Sequence, residues 1–151
     1  MSEETMQFHH DIHHNAYITK ANELIAGTDM EGKSLEELIK LTYQDAEKQG
    51  LFNQVSQAWN HNEFWQMMKP NGGGAMPSEL ETRINADFGS YDGFKAAFTQ
   101  AGAGQFGSGW VWLTEDAGTL KIVSTPNGVN PLCLDRTTLL GCDVWEHSYY
   151  I

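Results

Sequence analysis

The sequence predicts an α+β protein, in which a helical layer is followed by a mixed layer with a small antiparallel sheet of three strands. Three observations support this prediction. Apolar residues recur at helical spacing through most of the first 69 residues, strand-like patterns begin only at Gly109, and the intervening Pro70-Asn-Gly-Gly-Gly74 cannot sustain regular structure. We therefore expect a helical domain over residues 1–70 and an α/β domain over residues 75–151.

Two helices are predicted before residue 50. Residues 3–26 contain helix formers and no Pro or Gly before Gly27, which can cap the C-terminus of a first helix. Ser34-Leu-Glu-Glu37 has the form of a capping box, with Ser at the N-cap and Glu three residues later. It predicts a second helix over about residues 35–48, which Gly50 interrupts.

Three further helices follow from the same rules. Residues 51–69 repeat apolar groups at helical spacing and stop before the proline of the hinge, so they predict a third helix. Beyond the hinge, Ser78 to Phe88 and Ser90 to Ala101 each begin at a serine suited to N-capping. Gly89 separates these two segments, which predict the last two helices.

From Gly109 the pattern changes to short runs rich in β-branched and aromatic residues. The runs WVWL and LKIVST are joined by the turn-like Glu115-Asp-Ala-Gly118, which predicts an antiparallel hairpin. A third strand over about Thr137 to Cys142 is expected to pair with this hairpin.

Acidic residues dominate the charge balance, since nine Lys and Arg stand against twenty Asp and Glu, for a formal net charge of −11. Nucleic acid and anionic membrane surfaces are therefore poor partners. The sequence has no run of about 18 apolar residues and no secretory signal at its start, so we expect a soluble, cytoplasmic protein. Cys133 and Cys142 are expected to be reduced and packed.

Histidine is the unusual component, because four of the six histidines fall within residues 9–14. On a helix, His9, His13 and Tyr17 form one column, since positions four apart share a face. Taken alone, this segment has two interpretations: a metal site, or a solvent-exposed histidine cluster with incidental affinity for transition metals.

Two later segments carry further candidate ligands. His61 lies on an apolar and aromatic face of the third helix, where a lone histidine is more often a satisfied core residue than a ligand. In Asp143-Val-Trp-Glu-His147, a carboxylate and an imidazole follow a strand, so that one local turn can aim both at one point. Cys142 should face away from that point, because neighbouring strand residues point to opposite faces. Together, three imidazoles and one carboxylate suit iron, manganese or zinc.

The segments QFHHDIHHNAY, QAWNHNEFW, FGSGWVWL and DVWEHSYY, read in order, resemble the iron/manganese superoxide dismutase family over nearly the whole chain. The resemblance implies an N-terminal α-helical hairpin domain, a C-terminal α/β domain and a metal ion between them. It also implies the dismutation of two superoxide anions to dioxygen and hydrogen peroxide, by a metal that alternates between the trivalent and divalent states.

The resemblance assigns roles to individual residues. The metal ligands, for one ion per chain, would be His9, His61, Asp143 and His147. Tyr17 would be the gate residue at the substrate channel, and Gln57 would hydrogen-bond the metal-bound solvent. The aromatic side chains that wall the site would include Trp59, Trp110 and Trp145.

A homodimer is implied by the same resemblance. His13, counted with Tyr17 and Gln57 among the catalytic residues, would also lie near the contact between two subunits. In that contact Glu146 would reach the partner's His147, and Tyr150 would reach the partner's His13.

The resemblance also bears on the choice of metal. Members that use iron place a glutamine on the helix that carries the WNH motif, as Gln57 is placed here. Many members that use manganese supply it instead from the other domain, at the position of Gly128. Iron is therefore favoured, with manganese as the alternative, since the ligand set does not discriminate between them.

Three departures from the family pattern lower the expected activity. The chain starts almost at its first helix and ends at Ile151, without the usual leader and C-terminal helical segment, so we expect reduced stability. Ile12 stands where iron types commonly have Lys, and the absent segment normally brings an Arg towards the channel. Slower capture of anionic superoxide is expected, with Lys20 as the nearest remaining cation on that helix.

Two other classes of function stand as alternatives. The first is a non-catalytic or impaired metal-binding homologue that keeps the ligands. The second is a non-haem iron oxygenase with two histidines and one carboxylate, for which a third histidine would be surplus. Nucleophilic hydrolysis has no support beyond a superficial motif at Gly107-Ser-Gly109.

Overall fold

The computed structural model describes residues 1–150. Its helices are α1 (Glu3–Met6), α2 (Asn15–Ile25), α3 (Leu35–Thr42), α4 (Gln49–Gln66), α5 (Ser78–Phe88) and α6 (Tyr91–Ala103). A π-helical segment (Gln7–His14) joins α1 to α2, and 3-10 turns cover Ala46–Lys48, Pro131–Leu134 and Glu146–Ser148. The strands are β1 (Gly109–Asp116), β2 (Thr119–Pro126) and β3 (Thr137–Asp143). This architecture confirms the predicted α+β class, with a helical hairpin preceding a three-stranded antiparallel sheet.

The first helix, made of α1, the π-helical segment and α2, has the predicted length but not the regular α-helical hydrogen bonding expected throughout. It ends at Ile25, close to the expected boundary. The segment Gln7–His14 within it is π-helical, so that hydrogen bonds span five residues instead of four. His9 and His14, five positions apart, are accordingly both buried, whereas His10 is exposed. The π-helical segment therefore decides which histidines face the interior.

The second helix is shorter than predicted, because it ends at Thr42. It starts with the predicted capping box, and it is followed by Gln44 in a left-handed backbone conformation, with φ of 62°. Asp45 then accepts a hydrogen bond from the Glu47 amide and caps a 3-10 turn that runs directly into α4. Gly50 consequently lies in the first turn of α4 and interrupts nothing.

The sheet has the order β2-β1-β3 and is antiparallel throughout. Its central strand, β1, is buried over its first six residues. Alternation along β1 places Trp110 and Trp112 in the core shared with α2, α3 and α4, and Leu113 in a second core with α5 and α6. The sheet therefore separates two cores of different composition.

The remaining local predictions divide between right and wrong. Ser90 caps α6 as predicted, with its side chain accepting a hydrogen bond from a backbone amide of the first turn. The predicted cap of α5 is wrong, because Pro77 occupies the N-cap and Ser78 is the first helical residue. Cys133 and Cys142 are both free thiols. Within residues 1–150, no helix combines the length and apolar character needed to cross a bilayer.

Candidate metal centre

Four side chains from four different elements converge at the boundary between the two layers. The π-helical segment supplies His9, α4 supplies His61, the end of β3 supplies Asp143 and the following 3-10 turn supplies His147. One ligand atom from each lies within 4.8 Å of the ligand atoms of the others. Asp143 Oδ2 is 3.1 Å from His9 Nε2 and 3.2 Å from His147 Nε2. The four predicted ligands thus form one compact cluster.

Local structure explains why the carboxylate and the last histidine point the same way. Trp110 of β1 pairs with Asp143, which fixes the end of β3 beside the core. Past the strand, the backbone amide of Trp145 donates to Asp143 Oδ1 at 2.9 Å. The Ser148 hydroxyl donates to the Asp143 carbonyl at 2.9 Å and closes the turn. This turn brings His147 back over the carboxylate.

Burial and hydrogen bonding set the protonation states of His61 and Asp143 in the cluster. Burial of the His61 ring lowers its pKa to about 3, so this side chain is neutral near pH 7. Burial alone would raise the pKa of Asp143, but hydrogen bonds from His147, His9 and the Trp145 amide outweigh it and hold that pKa below its usual value. Asp143 is therefore ionised, and its charge is buried in the site.

The donor atoms fit a bound cation better than they fit one another. His61 Nδ1 lies 2.8 Å from the Gln57 carbonyl, which can only accept, so Nδ1 carries the proton and Nε2 keeps its lone pair. That lone pair faces His9 Nε2 at 3.0 Å, while Asp143 Oδ2 approaches the same nitrogen. One hydrogen on His9 Nε2 cannot bond well to both acceptors, and His9 Nδ1 is buried without a partner. Nitrogen and carboxylate donors in this arrangement suit iron, manganese or zinc.

Tyr17 and Gln57 lie beside the cluster. The Tyr17 ring is centred 5.3 Å from the His61 ring. Burial raises the pKa of the Tyr17 phenol, and the Gln57 side chain opposes part of that rise. Gln57 Oε1 accepts from Trp110 Nε1 at 3.1 Å, whereas Gln57 Nε2 is buried without a hydrogen-bond partner. The site therefore holds a protonated phenol and a free amide donor next to the four ligands.

His13 adjoins the cluster without being part of it. Its ring stacks on that of His147, with centroids 4.8 Å apart. Burial is the first cause that lowers the pKa of His13, followed by the charges of His147 and His9. Glu146 is exposed, and Tyr150 is 81% exposed at the end of the described chain.

The predicted aromatic wall is only partly as expected. Trp110 lies edge-on to His61 at 5.2 Å, and Trp145 stacks on His147 at 5.7 Å. Trp59 instead packs against Trp112, and its indole donates outwards to Glu36. The difference arises because Trp59 lies about 200° around α4 from His61, two residues away.

The prediction missed two further side chains at the site. Trp65 lies 4.9 Å from the His9 ring, measured between centroids, and its indole donates to His14 Nδ1 at 2.9 Å. His14 Nε2 in turn contacts the Ala58 carbonyl at 3.2 Å. The sequence did contain a sign of this, because Trp65 lies one turn after His61 on α4 and therefore on the same face of the helix. Cys142 is absent from the cluster of possible ligands found among residues 1–150.

Comparison with known proteins identifies relatives over the whole chain. A model described as "Iron/manganese superoxide dismutases, alpha-hairpin domain" matches residues 1–69, and one described as "Iron/manganese superoxide dismutases, C-terminal domain" matches residues 76–151. The chain is 57% identical to an iron superoxide dismutase of Rhodobacter capsulatus, covering 100% of this chain and 77% of that protein. It is 53% identical to an iron superoxide dismutase of Synechocystis, covering 100% and 76%. A manganese superoxide dismutase of Rhizobium meliloti is 51% identical, covering 100% and 75%.

Proposed function

The chain belongs to the iron/manganese superoxide dismutase family, and from this premise we propose that its metal ion is held by four side chains: His9, His61, Asp143 and His147. The protein is an oxidoreductase that converts two superoxide anions to dioxygen and hydrogen peroxide. The observation that carries the proposed site is the convergence of three imidazoles and one buried carboxylate within 4.8 Å. Iron or manganese held by these four side chains would supply the redox chemistry, because both metals have trivalent and divalent states.

The residues around the ligands supply hydrogen-bond donors and exclude water from the site. We propose that Tyr17 is the gate residue, because its phenol lies beside His61 and its raised pKa keeps the proton in place at neutral pH. We propose that Gln57 acts through Nε2, a buried donor with no partner among the described protein atoms. Trp110 and Trp145 exclude water from the rings that they cover, and this strengthens the electrostatic interactions inside the site.

Iron is the metal that the arrangement around Gln57 favours. Gln57 approaches the site from α4, and Gly128 lies directly against that helix. A Cβ atom at position 128 would overlap the Ser56 hydroxyl and come within 3.4 Å of Gln57 Cγ. A glutamine supplied from position 128 would therefore compete for the space that Ser56 and Gln57 already fill.

We propose that the protein is a homodimer through the surface around His13, Glu146, His147 and Tyr150. The stacking of His13 on His147 makes one continuous surface of this region, and the largely exposed Tyr150 extends it. Light scattering at working concentration tests the dimer. Glu146→Ala should shift the mass towards the monomer, and a wild-type monomer would contradict the proposal.

Two smaller proposals concern organisation and location. We propose that the two domains meet between residues 70 and 75, where the chain leaves α4 and has not yet entered α5. We also propose a cytoplasmic location, which is supported by two cysteines that are both free thiols. Limited proteolysis and cell fractionation, respectively, test these assignments.

Metal removal and replacement test the function itself. The full chain is stripped with a chelator and reloaded with iron or with zinc, and superoxide consumption is measured in each form. Iron should restore activity, whereas zinc, which has no redox chemistry, should occupy the site without restoring it. Superoxide consumption by the stripped or zinc-loaded chain at the rate of the iron form would contradict the proposal.

A further inference from the structure

A chain of buried side-chain amides connects the Pro131–Leu134 turn to the metal centre. Asn130, which precedes this turn, donates from Nδ2 to Asn60 Oδ1 at 2.8 Å. Asn60 donates from Nδ2 to Gln57 Oε1 at 3.3 Å. Asn130 and Asn60 are completely buried, so these groups have no water to replace a lost partner. The orientation of each amide therefore constrains the orientation of the next.

Two groups with fixed chemistry determine which way each amide points. The Trp110 indole can only donate, so the Gln57 atom that it contacts must be Oε1. The Gly128 carbonyl can only accept, so the Asn60 atom 3.1 Å away must be Nδ2. Asn60 Oδ1 then faces Asn130, and Nδ2 is the donor with which Asn130 can satisfy it.

The contact between Asn130 Oδ1 and Cys133 is consistent with this assignment of the amide atoms. The Cys133 thiol, a weak donor, lies 3.5 Å from Asn130 Oδ1. Burial raises the pKa of the Cys133 thiol, so it keeps its hydrogen at neutral pH. Cys133, Asn130 and Asn60 thus each donate to the next residue of the series, and the series ends at Gln57 Oε1.

We propose that Asn130 is a positioning residue: by donating to Asn60 Oδ1, it keeps the Asn60 amide turned so that Gln57 presents Nε2, and not Oε1, to the metal centre. The inference rests on the proposed role of Gln57 at that site. The Asn130 side chain hydrogen-bonds Asn60 and Cys133 and none of the four proposed ligands, so it acts through Asn60 and Gln57.

Two substitutions of similar size reverse or remove the donor. In Asn130→Asp, the side chain loses both N–H donors, and its ionised form can only accept, which draws Asn60 Nδ2 towards it and leaves Asn60 Oδ1 facing Gln57 Oε1. In Asn130→Leu, Asn60 Oδ1 loses its donor and the Asn60 amide is no longer held in one orientation. Both changes weaken the hold on Gln57 Oε1, the atom that also accepts from Trp110.

Indole resonances report this hold directly. The full chain is labelled with 15N and loaded with Zn2+, which is diamagnetic, and the five tryptophan indole N–H signals are recorded and assigned. The Trp110 signal should shift in both Asn130 variants, because its acceptor moves. Thr125→Val is the matched control: Thr125 is buried, accepts from the Trp112 indole at 3.0 Å and donates to the Val129 carbonyl at 2.6 Å, so the Trp112 signal should shift most, while Trp110 keeps its acceptor.

A second readout separates a positioning role from a packing role. In the iron-loaded chain, the reduction potential should shift in the Asn130 variants and stay at the wild-type value in Thr125→Val. When Gln57→Ala is already present, adding Asn130→Leu should leave the potential unchanged, because the route through Gln57 is gone.

A Trp110 signal at its wild-type position in both Asn130 variants would overturn the inference, whether or not the chain consumes superoxide. A wild-type chain that binds iron without consuming superoxide would instead overturn the proposed function. The zinc-loaded spectra would still decide the role of Asn130.

Discussion

The two faces of strand β1 are held in place by different interactions. One face carries Trp110 and Trp112, and each indole donates a hydrogen bond, to Gln57 Oε1 at 3.1 Å and to Thr125 Oγ1 at 3.0 Å. The other face carries Leu113, which packs against apolar side chains of α5 and α6. Hydrogen bonds aim the tryptophan side chains, whereas apolar contacts only exclude water. The face towards the metal centre is therefore called the oriented face, because hydrogen bonds fix the directions of its tryptophan side chains. The opposite face is called the filled face, because its side chains only pack in the second core.

The largest effect should come from removing the buried charge on the oriented side. Asp143→Asn should weaken iron binding by more than about 10-fold, the loss typical of disturbing even the partners of metal ligands. Iron content after dialysis, measured by elemental analysis, checks this. Asp87→Asn is the control on the opposite side, since Asp87 accepts from the Leu120 amide at 2.7 Å. It should retain iron, and equal loss in both variants would break the comparison.

On the filled face, a large-to-small substitution should affect stability alone. Leu113 is 2% exposed, so Leu113→Ala should lower the free energy of unfolding by about 2–5 kcal/mol through lost burial and a cavity. Denaturant unfolding of the metal-loaded chain measures this loss. Iron content per folded chain should stay at the wild-type level. A loss of iron without a loss of stability would show that this face also orients the site.

The two tryptophans of the oriented face should differ in function and not in stability. Trp110→Phe and Trp112→Phe each remove one buried indole donor, so each should lower the free energy of unfolding by about 1–3 kcal/mol. Only Trp110→Phe frees the side chain of Gln57, so only this variant should lower kcat for superoxide consumption. Equal kcat losses in both would mean that the hydrogen bond to Gln57 has no separate role.

The smallest effect should appear only at alkaline pH. Because burial raises the pKa of Tyr17, its phenol stays protonated below about pH 10 and activity should fall only above that value. Tyr17→Phe should remove this alkaline decline, while Tyr43→Phe, which alters a ring packed against Phe52, should keep it. A decline that persists in Tyr17→Phe would assign the titration to another group.

Much of this arrangement is readable from the sequence, for physical reasons. Strand alternation separates the tryptophans of β1 from Leu113, and residue chemistry marks His61 and Asp143 as donors for a metal. The hinge and the strand-rich run after Gly109 identify the two layers. The roles proposed for the site residues stay predictions that the variants above test.

Other features depend on contacts that the sequence does not display. The π-helical segment changes the spacing of buried histidines from four to five, and sequence periodicity assumes 3.6 residues per turn. The early end of α3 follows from the left-handed backbone conformation of Gln44. Glycine is the usual sequence signal for that conformation, and this position has none. The buried pair of Asn60 and Asn130 joins residues 70 positions apart, which only the tertiary structure brings together.

Anomalous diffraction at the iron absorption edge tests the central claim most directly. Crystals of the iron-loaded chain should show one strong anomalous peak per chain, bounded by His9 Nε2, His61 Nε2, Asp143 Oδ2 and a ring nitrogen of His147. An active, iron-containing protein whose anomalous peak lies elsewhere, or outside the reach of His61 or His147, would contradict the account.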